Sequence, residues 1–188
     1  MSVCELPPVI TPDASFRKQV AETCGVNVTA CFQCEKCSAG CPVTFAMDIL
    51  PHRLIRAVHL GLKDEVLRSE TIWVCATCET CSTRCPNGID IAHVMDAARQ
   101  ISRREGVRAA RPDVPALHRA FLASIKRHGR VSEMEMTIDF SLRSGGIGAL
   151  LKKAGIGLSM FRRGKLRLLP TRLKGLKQVR RVFKKTGV

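Results

Sequence analysis

The chain carries one cysteine pattern twice, as CFQCEKCSAGCP at residues 31–42 and as CATCETCSTRCP at residues 75–86. Both copies follow CxxCxxCxxxCP, and they are offset by 44 residues. Three thiols spaced three residues apart on a winding loop can reach three corners of one [4Fe–4S] cube, so the fourth ligand has to come from elsewhere. The doubled pattern therefore predicts two [4Fe–4S] clusters.

The cysteines that precede proline, Cys41 and Cys85, are predicted to exchange between the two repeats. In two-cluster ferredoxins, the distant cysteine before proline binds the cluster of the other repeat. The expected ligand sets are Cys31, Cys34, Cys37 and Cys85 for one cluster, and Cys75, Cys78, Cys81 and Cys41 for the other. The two repeats would then form one interlocked site.

Zinc and disulfide bonds are the alternative uses of these eight cysteines. Tetrahedral zinc sites usually combine two pairs of ligands, which would leave the third thiol of each run unexplained. Disulfide frameworks suit small secreted chains, whereas residues 1–12 have no basic segment followed by an apolar one. The chain is therefore expected to be cytoplasmic, with reduced thiols that bind clusters.

The remaining cysteines and the histidines are not expected to bind metal. Cys4 and Cys24 lie outside both runs and are predicted to be free thiols or small apolar residues. The five histidines fall on helix-like segments away from the runs and are predicted to be surface or packing residues: His52, His59, His93, His118 and His128.

Charge divides the chain into two parts. Residues 1–98 contain 8 Lys and Arg against 11 Asp and Glu, whereas residues 99–188 contain 23 against 5. We expect a helical two-cluster domain over residues 1–110 and a basic, mostly helical extension for partner docking over residues 111–188. No run of 18 uninterrupted apolar residues exists to span a membrane.

The segments after the two Cys-Pro pairs have the apolar spacing of amphipathic helices. The recurring residues are Ile49, Leu50, Leu54, Ile55, Val58 and Leu62 after the first pair, and Ile91, Val94, Met95, Ala98 and Ile101 after the second. Gly61 is expected to end the first helix, and Ser69 to cap a turn that leads to Cys75. Trp73 and Phe32 are expected to shield the clusters from water.

The extension is predicted to begin with a helix that Asp113 caps and that ends before Gly129. Its apolar face would consist of Val114, Leu117, Phe121 and Ile125. Residues 134–142 are ambiguous, because they alternate like a strand but follow a capping box formed by Ser132 and Glu135; we favour a helix. The glycines of residues 145–148 are expected to form a hinge, since no predicted strand precedes them as in a phosphate loop.

The tail from Thr171 is a candidate amphipathic helix with a strongly basic face. Between Lys152 and Lys185 the chain has 13 cations and no acid. Such a run repels itself and so favours an anionic partner, for which an acidic protein surface, membrane headgroups and nucleic acid are the alternatives. We favour a protein, with membrane contact at most peripheral and no nucleic acid, because aromatic stacking platforms are nearly absent.

Together, the motifs CFQCEKCSAGCP, GLKDEV and IWVCATCETCSTRCPNGIDI and the basic tail resemble the C subunit of heterodisulfide reductase. The resemblance covers about residues 24–108. It implies an all-helical ferredoxin fold rather than the βαββαβ fold that the Cys-Pro motif alone would also allow. It also implies a relay subunit of a hetero-oligomer, which takes electrons from a flavin- and cluster-bearing A-type subunit and passes them to a cysteine-rich, catalytic B-type subunit.

The chain has no adjacent Cys-Cys pair, with which the family's B subunit binds its catalytic clusters, so it is not expected to be catalytic alone. The predicted function is one-electron transfer through two [4Fe–4S] clusters. The alternatives are an iron–sulfur subunit of another anaerobic dehydrogenase or quinone-linked complex, a freely diffusing ferredoxin, and an Fe–S or zinc protein that binds nucleic acid.

Overall fold

The computed structural model describes residues 12–164 and 173–186, and this part of the chain is helical without a β-strand. Within these residues, two 3-10 turns, Val28–Ala30 and Thr44–Ala46, accompany ten helices. The helices are α1 Ala14–Cys24, α2 Lys36–Ala39, α3 Pro51–Leu60, α4 Lys63–Arg68, α5 Thr71–Val74, α6 Thr80–Arg84, α7 Ile91–Arg104, α8 Asp113–His128, α9 Glu133–Arg162 and α10 Leu176–Thr186. The chain separates into two compact units after Arg111, here called the cysteine unit and the basic unit.

The core of the cysteine unit lies where α1, α3 and α7 pack together. These helices contribute fully buried apolar side chains: Phe16 and Val20 from α1, Leu54, Ile55 and Val58 from α3, and Val94, Met95 and Ile101 from α7. The two helices predicted after the Cys-Pro pairs are thereby confirmed. Ile49, Leu50 and Leu62 lie outside α3, because Pro51 occupies its first position and Gly61 ends it.

Gly61 ends α3 in the left-handed conformation, with φ 74°, as the sequence predicted. Its backbone also lies against the start of α1, since Asp13 N donates to Leu60 O at 3.2 Å. A Cβ at residue 61 would come within 1.8 Å of Asp13 O. Glycine is therefore required here both for its dihedral angles and for the close approach of the two segments.

The turn of α5 is capped by a residue distant in sequence and not by Ser69. Asp48 Oδ2 accepts from Glu70 N at 2.8 Å, and Asp48 Oδ1 accepts from Thr71 N at 2.9 Å. Ser69 instead ends α4 and donates its hydroxyl to Val66 O. A carboxylate can reach the unpaired N–H groups of a helix from another segment once the fold brings it near, so the local cap prediction was wrong.

Small side chains form the buried stripe of α8, which packs mainly on α9. Ala116, Ala120 and Ser124 are buried, whereas Leu117 and Phe121 are 40% and 42% exposed. The predicted apolar face was therefore wrong, because a close helix contact favours residues that let the backbones approach. Asp113 is the first residue of α8 rather than its cap, and Gly129 ends the helix with φ 78°, as predicted.

The stretch that alternates like a strand belongs to α9, so the preference for a helix is confirmed. Ser132 precedes the helix without a side-chain cap, and the predicted capping box is absent. Glu135 instead pairs with Arg127, and its Oε2 lies 2.5 Å from His128 Nε2. Gly146 interrupts α9 with φ 64° and ψ −160°, dihedrals that glycine adopts without a steric penalty, at the position predicted to be a hinge.

The tail helix α10 begins at Leu176, later than the predicted start at Thr171, which lies outside the described residues. Arg180 of α10 donates to the carbonyl oxygens of Lys126 and Arg127 at 3.2 and 3.4 Å, at the negative end of the α8 dipole. The Phe183 ring lies 5.5 Å from Lys126 Nζ. Within residues 12–164 and 173–186, no helix has both the length and the apolar character to cross a membrane.

Candidate iron-sulfur sites

The eight predicted ligands lie around two pockets of the cysteine unit. The first pocket is lined by Cys31, Cys34, Cys37 and Cys85, and the second by Cys41, Cys75, Cys78 and Cys81. Each pocket thus takes three cysteines from one repeat and the proline-flanked cysteine from the other. All eight are free thiols.

The ligand loops have the same strained backbone in both repeats. Gln33 and Glu35 have φ of 56° and 61°, and the residues 44 positions later, Thr77 and Glu79, have φ of 52° and 59°. Side chains other than glycine rarely adopt positive φ, at a cost of roughly 1–3 kcal/mol each. Such residues between the cysteines turn the loop around the pocket, and the bound group would have to offset the strain. Cysteine spacing does not reveal this feature.

The two loops are also joined to the following helices in the same way. Ser38 Oγ accepts from His52 N at 3.1 Å, and Ser82 Oγ accepts from Ala92 N at 3.3 Å. The loops lie 44 residues apart but the helices lie 40 apart, because eight residues separate Pro42 from α3 and four separate Pro86 from α7. The cysteine unit is thus built from two related halves.

The first site receives neutral N–H donors at its sulfur atoms. Gln33 Nε2 donates to Cys31 Sγ at 3.1 Å and to His52 O at 3.2 Å. Ile89 N donates to Cys85 Sγ at 3.4 Å. Hydrogen bonds to thiolate sulfur favour its charged form and raise the reduction potential of an iron–sulfur site.

His52 lines the first pocket, contrary to the prediction that all five histidines lie away from the cysteine runs. Its Nδ1 lies 2.8 Å from Ser38 Oγ, and its Nε2 lies 3.5 Å from Glu35 Oε1. It holds α2 against α3 and, with 8% exposure, keeps water from that wall of the pocket. The folding of α3 onto the ligand loop brings it there, although it lies 15 positions after Cys37 in the sequence.

The second site has a positive charge beside its ligand loop. Arg99 of α7 donates through Nη1 to Cys75 O at 3.4 Å and through Nη2 to Thr77 Oγ1 at 2.9 Å. Arg99 Nε is buried and has no hydrogen-bond partner among the described residues. No pattern in the sequence indicates a role for Arg99, since its side chain reaches the loop only after α7 has packed.

Burial controls the acidity of most of the affected thiols. It raises the pKa of Cys37, Cys75 and Cys81, although the Arg99 charge opposes this effect at Cys75. Hydrogen bonding with the hydroxyl and backbone N–H of Thr80 lowers the pKa of the exposed Cys78. Because iron binds thiolates, loading the pockets should release protons, which couples cluster binding to pH.

The two aromatic residues expected to shield the clusters behave differently. Trp73 is 3% exposed, and its Nε1 is buried without a hydrogen-bond partner among the described residues. Phe32 lines the first pocket but is 75% exposed, so the prediction that it shields a cluster was wrong. Cys24 is a free thiol that donates to Val20 O at 3.1 Å, and Cys4 lies outside the described residues.

The donors fit an iron–sulfur cube better than a single ion. Four thiols surround each pocket, and no group of three or more His, Cys, Asp or Glu within the described residues is arranged to hold one metal ion. A cube needs sulfur ligands spread around a cavity, whereas zinc needs them at one point. Two four-cysteine pockets on repeated loops define a protein of the two-cluster iron–sulfur class.

Comparison with known proteins identifies more specific relatives within this class. The family described as "4Fe-4S dicluster domain" matches residues 27–89. The chain is 38% identical over 84 residues to the iron–sulfur C subunit of the CoB--CoM heterodisulfide reductase of Methanopyrus kandleri, covering 45% of this chain and 44% of the relative. It is 33% identical over 97 residues to the C subunit of the H(2):CoB-CoM heterodisulfide,ferredoxin reductase of Methanothermobacter marburgensis, covering 52% of each.

The cysteine-rich half of this chain is similar to heterodisulfide reductase C subunits and matches the dicluster domain, which confirms the resemblance found in the sequence. Its cofactors are two [4Fe–4S] clusters. The chain spans about half the length of the curated relatives it matches.

Proposed function

We propose that the eight cysteines bind the clusters in crossed sets. One set is Cys31, Cys34, Cys37 and Cys85, and the other is Cys75, Cys78, Cys81 and Cys41. The support is that these same groups of four line the two pockets. Crossing would tie each ligand loop to the helix that follows the other repeat, so that the two clusters and the helical ferredoxin fold form together.

The chain itself would act as an electron relay and not as a catalyst. The observation that carries this proposal is the presence of two four-cysteine pockets in one small helical unit. A bound [4Fe–4S] cluster accepts and releases one electron at a time. The chain's own residues hold the sulfur ligands, donate hydrogen bonds to them through Gln33 and Ile89, and exclude water with the buried side chains of α3 and α7.

The relay would connect two partner subunits in a hetero-oligomer. We infer that electrons arrive from an A-type subunit with flavin and clusters and leave to a cysteine-rich B-type subunit that performs the chemistry. The names of the relatives support membership in a heterodisulfide reductase, and the absence of a Cys-Cys pair from this chain supports a role without catalysis. A cytoplasmic location stays a prediction.

The basic unit would provide a docking surface for an acidic face of one partner. Arg180 is occupied with the carbonyl groups at the end of α8. The other cations of α10 are exposed on the helix: Lys177, Arg181, Lys184 and Lys185. Complementary charge mainly speeds association and selects partners, so binding through this surface should weaken as salt increases.

The ligand sets can be tested with a matched pair of variants, Cys41→Ser and Cys85→Ser. Wild-type protein isolated without oxygen should contain about eight iron and about eight sulfide per chain. Cys41→Ser should alter the EPR signal of the cluster on Cys75, Cys78 and Cys81, and Cys85→Ser that of the cluster on Cys31, Cys34 and Cys37. Loss of the cluster in the same repeat as the mutation would disprove crossing, and stoichiometric zinc would disprove the clusters.

The partners can be identified by native purification followed by mass spectrometry. Two subunits of the proposed types should co-purify with the wild-type chain at low salt. A triple variant of α10, K177E/R181E/K184E, should lose at least one of them, whereas the control R53E/R56E, which reverses two exposed cations of α3, should keep both. Recovery of nucleic acid, or retention of both partners by the α10 variant, would contradict the docking proposal.

A further inference from the structure

The two cluster sites differ in the bridge that joins each ligand loop to its helix. In the first site, the neutral amide of Gln33 spans from Cys31 Sγ to His52 O of α3. The equivalent loop residue in the second site is Thr77, whose hydroxyl accepts from the Arg99 guanidinium of α7. The same structural connection is therefore neutral in one half of the cysteine unit and positively charged in the other.

Arg99 is held close to its site and is poorly screened by water. Its side chain is 12% exposed, and two of its N–H groups bind the loop at Cys75 O and Thr77 Oγ1. Its Nε is also buried and has no hydrogen-bond partner among the described residues. The position that corresponds to Arg99 on α3 is His59, and no hydrogen bond in the described chain joins the His59 side chain to the first loop.

Apart from the titratable His52, which lines the first pocket and is 8% exposed, the charged side chains near the two sites are more exposed than Arg99. Glu35 and Lys36 line the first pocket and Glu79 lines the second, and all three are exposed to solvent. Asp96 lies 3.5 Å from Arg99 Nη2 but is 49% exposed. Because water screens exposed charges strongly, the buried guanidinium should contribute the largest charge difference between the sites.

We propose that the charge of Arg99 outweighs the neutral N–H donors of Gln33 and Ile89 at the first site and makes the site of Cys75, Cys78 and Cys81 the first of the two to be reduced. One-electron reduction adds one negative charge to a site, and a fixed cation beside it stabilises that charge. Electrons that enter at the first-repeat site would then move to the second-repeat site. The inference deepens the relay proposed above and rests on it, but it does not depend on which repeat supplies the fourth cysteine.

The test is an anaerobic redox titration of the isolated chain with dithionite and mediators, followed by EPR. The two one-electron steps are assigned with Cys34→Ser and Cys78→Ser, which alter one exposed ligand of each site. In wild type, the step altered by Cys78→Ser should have the higher midpoint potential. Arg99→Gln should shift that step to lower potential and leave the other unchanged, and Arg99→Lys, which keeps the charge, should restore most of the shift.

Two further variants control for effects on folding. Arg103→Gln removes an exposed charge one turn further along α7 and should shift neither step. Asp96→Asn removes the carboxylate near Arg99 and should shift the same step in the opposite direction, to higher potential. Asp96 is half-exposed, so its substitution should disturb the fold little. The direction of the potential shift can therefore be measured in this variant even if Arg99→Gln binds less iron.

The inference is overturned if both steps shift equally in Arg99→Gln, if neither shifts in a fully loaded variant, or if Asp96→Asn leaves the potentials unchanged. A wild-type step order opposite to the expected one overturns it as well. Failure of the proposed function gives different results, since a chain without about eight iron or without protein partners is detected before any titration. The potentials can thus refute the role of Arg99 while the relay stands.

Discussion

The two units of this chain bury different kinds of side chain. The cysteine unit surrounds its core with large apolar residues from α1, α3 and α7, and it arranges two pockets of thiols beside them. The basic unit joins α8 to α9 through alanine and serine and leaves Leu117 and Phe121 partly exposed. The first unit is therefore organised around bound clusters, and the second around a close contact between helix backbones.

Removing the clusters should have the largest effect, because it should destabilise the cysteine unit and leave the basic unit unchanged. If the clusters offset the strain of the ligand loops, chelation should lower the hydrogen-exchange protection of α3 and α7 about 100-fold. The amides of α8 and α9 should keep their protection, because no predicted ligand lies in the basic unit. The measurement is hydrogen exchange with mass spectrometry on the full chain before and after chelation. Equal loss of protection in both units would show that their stability is not separate.

Gly61→Ala should destabilise the cysteine unit by about 3 kcal/mol or more. The new Cβ would meet Asp13 O and would also stand at a positive φ. Gly25→Ala is the matched control, since Gly25 also ends a helix with φ 70° but has no atom within 4 Å of the added Cβ. Its cost should be about 1–2 kcal/mol. Urea unfolding of the cluster-loaded protein measures the free energy of unfolding of both variants. Equal losses of stability would argue against the close packing of α1 on α3.

Ala120→Leu should destabilise the basic unit by about 1–3 kcal/mol. Ala120 is 1% exposed in the stripe of small residues on α8, where a larger side chain would push the helices apart. The control Ala123→Leu lies on the same helix outside that stripe and should cost less than about 0.5 kcal/mol. Hydrogen exchange of α8 and α9 measures both changes in stability. An Ala120→Leu variant as stable as the wild type would refute the close packing of α8 on α9.

Asp48→Asn should have the smallest effect, a loss of about 1 kcal/mol at pH 7. Burial alone would raise the pKa of Asp48, but hydrogen bonds from Glu70 and Thr71 outweigh it and keep that pKa below its usual value. The carboxylate therefore contributes stability above the ordinary pKa of about 3.9. That contribution is lost as the pH falls through the lowered pKa of the folded state.

The measurement is the difference in urea midpoint between Asp48→Asn and wild type as the pH is lowered. The difference should narrow in acid, because the carboxylate becomes protonated in both the folded and the unfolded state. Asp64→Asn, on the exposed side of α4, should behave like wild type at every pH. A difference that does not depend on pH would mean that the charge of Asp48 is irrelevant to the cap.

Local sequence patterns predicted the elements that depend on neighbours in the chain. Gly61 and Gly129 end their helices because a left-handed terminal residue is a local requirement, and the apolar spacing of α3 and α7 follows from the helical period. Local patterns failed where the partner is distant. Asp48 replaces Ser69 as the cap of α5, and Glu135 binds Arg127 and His128 instead of closing a capping box.

The amino-acid sequence alone is enough to predict two [4Fe–4S] clusters, because the number and spacing of thiols restrict which cofactor they can hold. It also determined the division between an acidic cysteine-rich part and a basic one. The folded structure was needed to show that His52 lines one pocket and that Arg99 reaches the loop of the other. Those contacts depend on how α3 and α7 pack against the ligand loops that precede them in the sequence. A local sequence pattern cannot predict which residues come together when distant segments pack.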